Sequence, residues 1–466
     1  DEDQSIYGFR AAYPEALLTF EKNYPDAKVL LMEENFRSDA RIVLAADRFI
    51  QKNTLRHEKH MKAARKPASD IREISLRSRK AQYTYLAKLA EGCTSQTAIL
   101  YRDNECILPL VDLLERNGIP YQMRNAELSF FSHRTILDII NIIKLAQNPM
   151  DTEAFLQIYY KIGTYLRKQD AIRIARISEE KRIPVLDVAA EDPDLNGHVL
   201  GSVRSMWTHL QNLLQDSGER ALYRIMQYMG YQEYLNRSGL SDSKLEILRI
   251  LGSRADSPME LAERLEQLKV LIREKEPDRK CPLILSTIHA SKGLEYDSVY
   301  LIDVADGILP ESIPQNLHQA SAEELKAYEE ERRLFYVGVT RAKDHLTLFT
   351  TNRPSTFCSE FLGKSSVTEE GRKNLMPVES RISRTFKQAR PYAAVAGIRQ
   401  TKASEELYFR LKEELGTGVI VEHKKYGEGV VTQLDDRLVH IMFQDDTLRM
   451  MDLKILANAG LLKVKK

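Results

Sequence analysis

The sequence predicts an α/β protein: a parallel-sheet domain interrupted by a mostly helical insertion and followed by a small β-barrel. Three observations carry this. Strand-like and helix-like stretches alternate from residue 27 to about 128, which is βαβα order and implies parallel strands joined by right-handed crossovers. From about 129 to 275 only helical periodicity is found, after which the alternation resumes. After Leu415 come short alternating strands separated by "YGEG" and "LDDR" turns.

In chain order, "KVLLMEENF" reads as a buried strand and "ARIVLAADRFIQKN" as the amphipathic helix behind it. "IREISLRS", the helical "AQYTYLAKLAEG", the strand "TAILYRD" and the helix "ILPLVDLLERNG" continue the pattern. Within the insertion, "HRTILDIINIIKLAQNP", "LYRIMQYMGYQEYL" and "SPMELAERLEQLKVLIREKE" place apolar residues at helical spacing. The strands "CPLILSTIHA" and "DSVYLIDV", a long helix ending near "YVGVTRAKD", and the strand "HLTLFTT" complete the sheet. Residues 364–402 hold nine Lys/Arg against three Glu and few large apolar residues, the composition of a basic linker.

Composition narrows the function classes. At 466 residues the chain has room for several domains. Hydrophobic residues at 43% and charged ones at 29% describe a globular protein, and no apolar run approaches the roughly 20 residues of a membrane span. No membrane partner is expected. The four cysteines (Cys93, Cys106, Cys281, Cys358) form no CxxC pair, so neither a zinc site nor a disulfide framework is expected, no metal ligands are assigned, and a reducing cytoplasm fits best. A net charge of +1 does not announce a nucleic-acid binder, although local patches could still act as one.

Four stretches carry the chemistry: "DEDQSIYGFRAA" at residue 1, "EENFRSDARI" at 33, "STIHASKGLEYDSVYLIDVADGILP" at 286 and "EEERRLFYVGVTRAKD" at 329. In this order they resemble the third, fourth, fifth and sixth motifs of the UvrD/Rep/PcrA family of superfamily-one DNA helicases. The resemblance covers nearly the whole chain. It implies that residues 1–25 are the tail end of a first RecA-like motor domain. Residues 26–128 and 276–362 would form the second motor domain and 129–275 its insertion. A basic linker over 363–415 and a Tudor/SH3-like barrel over 416–466 would follow. The phosphate loop GxxxxGK[ST] does not occur in the 466 residues. In the family it lies ahead of the motif found at residue 1, so the expectation is the C-terminal part of a helicase, cut before Asp1 and unable to hydrolyse ATP alone.

The resemblance also assigns residues. Gln4 senses the γ-phosphate of ATP; read alone, it is an exposed polar residue beside acids. Tyr7 and Phe9, otherwise candidate core aromatics, stack on single-stranded DNA, a contact of about 1–3 kcal/mol per base, and Arg10 meets a phosphate. Arg37 and Arg341, otherwise salt-bridge arginines, reach the γ-phosphate, a task suited to a planar group that keeps its charge. Phe36 stands where the family usually has Tyr against adenine, and Glu295 meets the ribose. Thr287 and His289 face DNA, although a lone His beside a strand is commonly structural. ATP is the implied cofactor, with Mg2+ held mainly by the preceding half. Single-stranded DNA and single/double-strand junctions are the implied partners.

Two departures from the family stand out. Its GIG-type turn, whose amides hold duplex phosphates, has "KIGTY" with the single Gly163 as nearest match. Its longer hairpin after the sixth motif is replaced by "HLTLFTTNRPSTF", which turns almost at once. The terminal barrel, through "VEHKKYGEGVV", resembles the module that contacts RNA polymerase in PcrA-type helicases; a barrel that serves stability alone is the alternative. The expected function is an ATP-dependent 3′–5′ DNA helicase or translocase in DNA repair or replication. Its rival is a non-catalytic adaptor that binds DNA and RNA polymerase.

Overall fold

The computed structural model describes residues 1–8, 15–28, 30–124, 129–240, 243–276, 278, 280–317, 319–352 and 355–364, and further on 411, 415, 419–424, 426–434, 438–443, 448–452, 456 and 462–464. The chain divides into two compact units, Asp1–Ser366 and Val367–Lys466.

The first unit opens with a 3-10 turn at Glu2–Gln4 and two short helices, α1 (Glu15–Leu18) and α2 (Phe20–Asn23). Strand β1 (Glu34–Asn35) pairs with β2 (Lys62–Ala63), and α3 (Ala40–Ile50) lies between them, its first turn capped by the Asp39 carboxylate. The chain then alternates β3 (Arg72–Leu76), α4 (Arg79–Ala90), β4 (Thr97–Tyr101), α5 (Leu108–Arg116) and β5 (Gln122–Met123). The insertion follows as α6 (Ser129–Ser132), α7 (Arg134–Gln147), α8 (Thr152–Ile158), α9 (Lys168–Lys181), α10 (Val185–Ala190), α11 (Gly197–Leu213), α12 (Gly218–Gln227), α13 (Tyr231–Arg237), α14 (Ser243–Gly252) and α15 (Pro258–Glu274). Sheet logic resumes with β6 (Leu283–Thr287), β7 (Tyr296–Leu301), α16 (Ala322–Val339), β8 (Ala342–Thr351) and α17 (Thr356–Phe361).

Six strands pair in parallel in the order β3-β8-β7-β4-β6-β5. Strands β4 and β6 are buried along their whole length, as a sheet covered on both faces requires. Alternate residues serve different cores. Ala98, Leu100, Ile284 and Val299 pack with α3, α16 and α17, whereas Ile99, Tyr101, Leu283 and Leu285 pack with α4, α5 and the insertion.

The reading of "KVLLMEENF" as a buried strand is corrected. Leu30 and Met32 are 75% and 86% exposed, and only Glu34 and Asn35 enter a ladder, with Lys62 and Ala63. An apolar run satisfies the strand pattern, but it becomes a buried strand only if a sheet edge pairs with it and a layer covers it. Among the described residues neither happens.

The insertion does not hang from the sheet by its ends. Its apolar residues, from Ile136 on α7 to Ile272 on α15, belong to the same core as Tyr83, Leu86 and Ile99. Ion pairs surround that contact: Arg79 reaches Glu246 at 3.1 Å, Lys275 reaches Glu115 at 2.8 Å, and Lys244 pairs with Glu105. Asp112 on α5, only 1% exposed, accepts from three arginines: Arg116 at 3.0 Å, Arg264 at 2.7 Å and Arg254 at 3.4 Å. No described helix is long and apolar enough to cross a membrane.

In the second unit the described strands are β9 (Ile420–His423), β10 (Gly427–Leu434), β11 (Leu438–Phe443), β12 (Leu448–Asp452) and β13 (Leu462–Val464), an antiparallel sheet ordered β12-β11-β10-β9-β13. Gly427, at φ +76°, makes the β9–β10 turn in a backbone region that suits glycine. At Gly429 a Cβ would run into Ile441 and the Met442 carbonyl on β11. Leu411 and Leu415 are buried in this unit's core, so the end of the expected 363–415 linker belongs to the packed module. Most of that linker lies outside the described residues.

The Asp112 node gives a stability test. Asp112→Ala leaves the largely buried Arg254 and Arg264 without their carboxylate, at an expected cost of about 3–5 kcal/mol. Urea denaturation followed by far-UV circular dichroism measures it, and a change below about 1 kcal/mol would place the node among inconsequential surface pairs.

Candidate functional site

The site is organised by the connection from β6 to β7. Thr287 ends β6 level with Tyr101, at the C-terminal edge of the sheet, whereas Tyr296 starts β7 level with Ala342, at the N-terminal edge. Residues 288–295 therefore travel from one edge of the sheet to the other. They include a single 3-10 turn at His289–Ser291 and a glycine, Gly293, at φ +84°. This strap carries a group of side chains at each end.

At the N-terminal edge, Arg341 occupies the residue before β8 and is 1% exposed. Its Nε donates to the Val337 carbonyl at 2.9 Å, and its two terminal nitrogens donate to the Leu294 carbonyl and the Thr340 hydroxyl at 3.2 Å each. Among the described residues no carboxylate lies within ion-pair distance of it. Burial, with the positive charge of Arg37 nearby, pulls its pKa down to about 10, so it remains charged at neutral pH. The reading of Arg341 as an ordinary salt-bridge arginine fails on this geometry.

Arg37 lies beside it, about one-third exposed. Its Nε donates to Glu295 at 2.9 Å and a terminal nitrogen to the Thr340 carbonyl at 3.5 Å. Asn35 accepts from the backbone N–H groups of Arg37 and Ser38, fixing the turn that leads into α3. Glu295 also meets Lys343 at 3.3 Å, and the hydrogen bonds from Arg37 and Lys343 hold its carboxyl below the usual range. Phe36 is 71% exposed, so its ring face is open to solvent. Phe36, Arg37, Glu295 and Arg341, chosen from sequence, thus form one neighbourhood.

At the other edge, Tyr7 donates through its hydroxyl to the His289 carbonyl at 3.1 Å, and the two rings lie 5.9 Å apart. Lys292 sits over the Tyr7 ring at 5.3 Å. Burial, with Arg341 nearby, lowers its pKa. Thr287 is buried, its hydroxyl accepting from the Ala290 N–H at 3.1 Å and so closing the turn that presents His289. Gly8 donates its N–H to Glu330 at 2.8 Å, and a Cβ at that position would collide with the same carboxylate. Gln4 donates from its side chain to Asp1 at 2.8 Å. Phe9 and Arg10 lie outside the described residues.

Sequence reading missed Lys292, Lys343, Glu330, Arg333, Arg56 and Lys59. The first four stand inside the motifs that begin at residues 286 and 329, where spacing alone does not separate a contact from a solvated charge. The only described group of acids close enough to share an ion is Asp1, Glu2 and Asp3, and Lys59 already lies within 3.2 Å of each. In the insertion, the Gly163 N–H donates to the Met229 carbonyl at 2.9 Å and is engaged within the fold. After β8 the chain reaches α17 within four residues, of which Arg353 and Pro354 are outside the described set.

The first unit is thus a parallel sheet split by a helical excursion, with Arg341 and Arg37 beside each other where β7 and β8 begin. The UvrD-like helicase C-terminal domain model matches residues 30–199 and 248–353, and the chain belongs to that family. It is 30% identical to the putative ATP-dependent DNA helicase YjcD of Bacillus subtilis over 75% of this chain and 47% of that protein. It is 29% identical to the ATP-dependent DNA helicase Rep of Escherichia coli over 77% of this chain and 55% of Rep. The PcrA helicase of Staphylococcus epidermidis is 26% identical over 94% of this chain and 62% of PcrA. The chain thus spans about half to three fifths of the length of these relatives.

A buried cation kept for a ligand differs from one kept for the fold. Arg341→Met removes a costly buried charge while filling its volume, so the thermal midpoint should hold or rise by a few degrees, as expected where site function and stability oppose each other. A fall of several degrees in differential scanning calorimetry would assign Arg341 to structure.

Proposed function

We propose that the chain is the second motor half of an ATP-driven helicase that moves 3′ to 5′ along single-stranded DNA, in DNA repair or replication. The observation that carries the reading is Arg341: buried, charged, with no carboxylate within ion-pair distance among the described residues, and next to Arg37. The dianionic γ-phosphate of a nucleotide held by a facing phosphate-loop domain is the partner such a pair would take. Arg37 is parked on Glu295 at 2.9 Å. On ATP binding the guanidinium passes to the γ-phosphate, which frees the carboxylate to accept from a ribose hydroxyl while the exposed Phe36 ring stacks on adenine. Gln4 reports the γ-phosphate.

Magnesium does not fit the described acids. Glu295 is held by Arg37 and Lys343, and Asp1–Asp3 are held by Lys59 and Arg56. The ion belongs to the phosphate-loop half, and no step here depends on it.

Tyr7, Thr287 and His289, with Phe9 and Arg10, form the proposed DNA face at single strands and junctions. The strap 288–295 joins this face to the nucleotide pair, since Tyr7 hydrogen-bonds its first turn and Arg341 hydrogen-bonds its last carbonyl before Glu295. In the second unit, exposed Lys424 supports the proposed contact with RNA polymerase. Tyr426 is instead packed against His423, with ring centroids 4.7 Å apart, so Lys424 is the cleaner probe.

The split site is tested by turnover. This chain alone should show no DNA-stimulated ATPase; supplied with a phosphate-loop half it should, and Arg37→Ala or Arg341→Ala should then cut kcat by about 1,000-fold or more. Robust hydrolysis by the isolated chain would contradict the reading.

The short β8–α17 connection bears on unwinding. A moving motor separates strands with a rigid wedge, and this connection has no room for two hairpin strands. Translocation on single strands, measured by stopped-flow arrival at a labelled end, should therefore proceed while long duplexes are poorly unwound. Grafting a longer hairpin with an aromatic tip should raise the unwinding yield. Processive unwinding of long duplexes by the native monomer would show that another element is the wedge.

A further inference from the structure

The three acids of the turn that bears Gln4 are held by groups outside the four motifs. Asp1, Glu2 and Asp3 stand on one 3-10 turn with their carboxylates clustered, and Glu2 and Asp3 are 5% and 1% exposed. Three acids so placed repel one another and would swing the turn outward unless neutralised. The segment between α3 and β2 supplies the neutralisation. Lys59 places its ammonium 2.7 Å from Asp1, 3.2 Å from Glu2 and 3.2 Å from Asp3, with its side chain 9% exposed. Arg56 grips Asp3 with two parallel bonds of 3.0 Å, its side chain 5% exposed. His57 donates its backbone N–H to Glu2 at 3.2 Å. Although burial works against its ionisation, backbone hydrogen bonds and the Lys59 charge hold the Glu2 carboxyl down at about 2.

The same carboxylate that meets Lys59 also orients Gln4: the Gln4 amide donates to Asp1 at 2.8 Å. Downstream, Arg333 donates to the Ser5 carbonyl at 2.9 Å and Glu330 accepts from Gly8. The segment is thus fastened on both sides of Gln4. Arg333 and Glu330 stand on α16, while Arg56, His57 and Lys59 lie in the loop after α3.

We infer that Lys59 and Arg56 are positioning residues for the motor cycle: they lock the three-acid turn so that Asp1 aims the Gln4 amide, and through it tie the α3–β2 loop to the nucleotide state. This rests on the proposed role of Gln4 as the γ-phosphate reporter. The ammonium occupies the position a divalent cation would otherwise take, which makes the cluster a clamp and not a metal site.

The test has two arms. In this chain alone, Lys59→Met should raise hydrogen–deuterium exchange across residues 1–8 and leave α7 and α15 unchanged, with Lys59→Arg restoring most of the protection. Unchanged exchange at 1–8 would overturn the clamp whatever the chain's activity. In the protein joined to its phosphate-loop half, Lys59→Met should lower kcat roughly 10- to 100-fold with KM for ATP little changed. Adding Lys59→Met to Gln4→Ala should cost less than about twofold more, because the two act in series. Full multiplicative loss in the double variant would show that Lys59 acts elsewhere and overturn the inference. A wild-type protein without ATPase would instead refute the motor reading and leave the exchange arm to decide the clamp.

Discussion

The buried charge of Arg341, with no carboxylate within ion-pair distance among the described residues, must be solvated by the elements around it. A guanidinium taken from water at a cost of several kcal/mol persists only where polar groups surround it. Here the C-terminal turn of α16 supplies the Val337 carbonyl and the Thr340 hydroxyl, at the end of a helix whose dipole favours a cation. The strap supplies the Leu294 carbonyl. For these to converge, β7 and β8 must begin level with each other, which the Tyr296–Ala342 register ensures. The Arg341 carbonyl in turn accepts from the Tyr296 N–H at 3.0 Å. Each element around the arginine therefore has its position set partly by the need to solvate it.

From that point the strap runs to the opposite edge of the sheet. It is short for a parallel crossover, which ordinarily takes a dozen residues or more and a helix. Eight residues leave little slack, so displacement at Leu294 is carried toward His289 instead of being absorbed by loop motion. The side of the sheet that holds the paired arginines and the side that holds Tyr7 are mechanically close for this reason, although they lie at opposite ends of the strands.

Much of this was legible in the sequence because it rests on local pattern. The alternation that marks β3 through β5, the helical insertion and the return to strands at Leu283 all follow from periodicity and turn residues. The residues gathered around Arg341 were found through motif resemblance, which records spacing that only a fold can explain. The apolar run at 30–32 was misread, since burial depends on a covering layer that periodicity cannot see. Lys59 and Arg56 were invisible for a related reason. Ion pairs linking residue 59 to residues 1–3 leave no trace in spacing, and in a chain with 68 basic residues against 67 acidic ones no single charge stands out. The engaged Gly163 amide belongs to the same class, since a hydrogen bond to Met229 cannot be read from "KIGTY".

The core shared by the insertion and the sheet bears on how this chain could have been assembled in evolution and how it loses its structure. A domain acquired as a passenger keeps its own interior and can be excised, leaving a healed loop. Here Tyr83, Ile99 and Leu268 are members of one interior, so excision would strip one face of the sheet and expose it to aggregation. Host and guest therefore share stabilising contacts, and substitutions on α7 or α15 are constrained by residues on α4 and β4 far away in sequence. What the chain's linear order presents as an interruption is, thermodynamically, half of the sheet's own support.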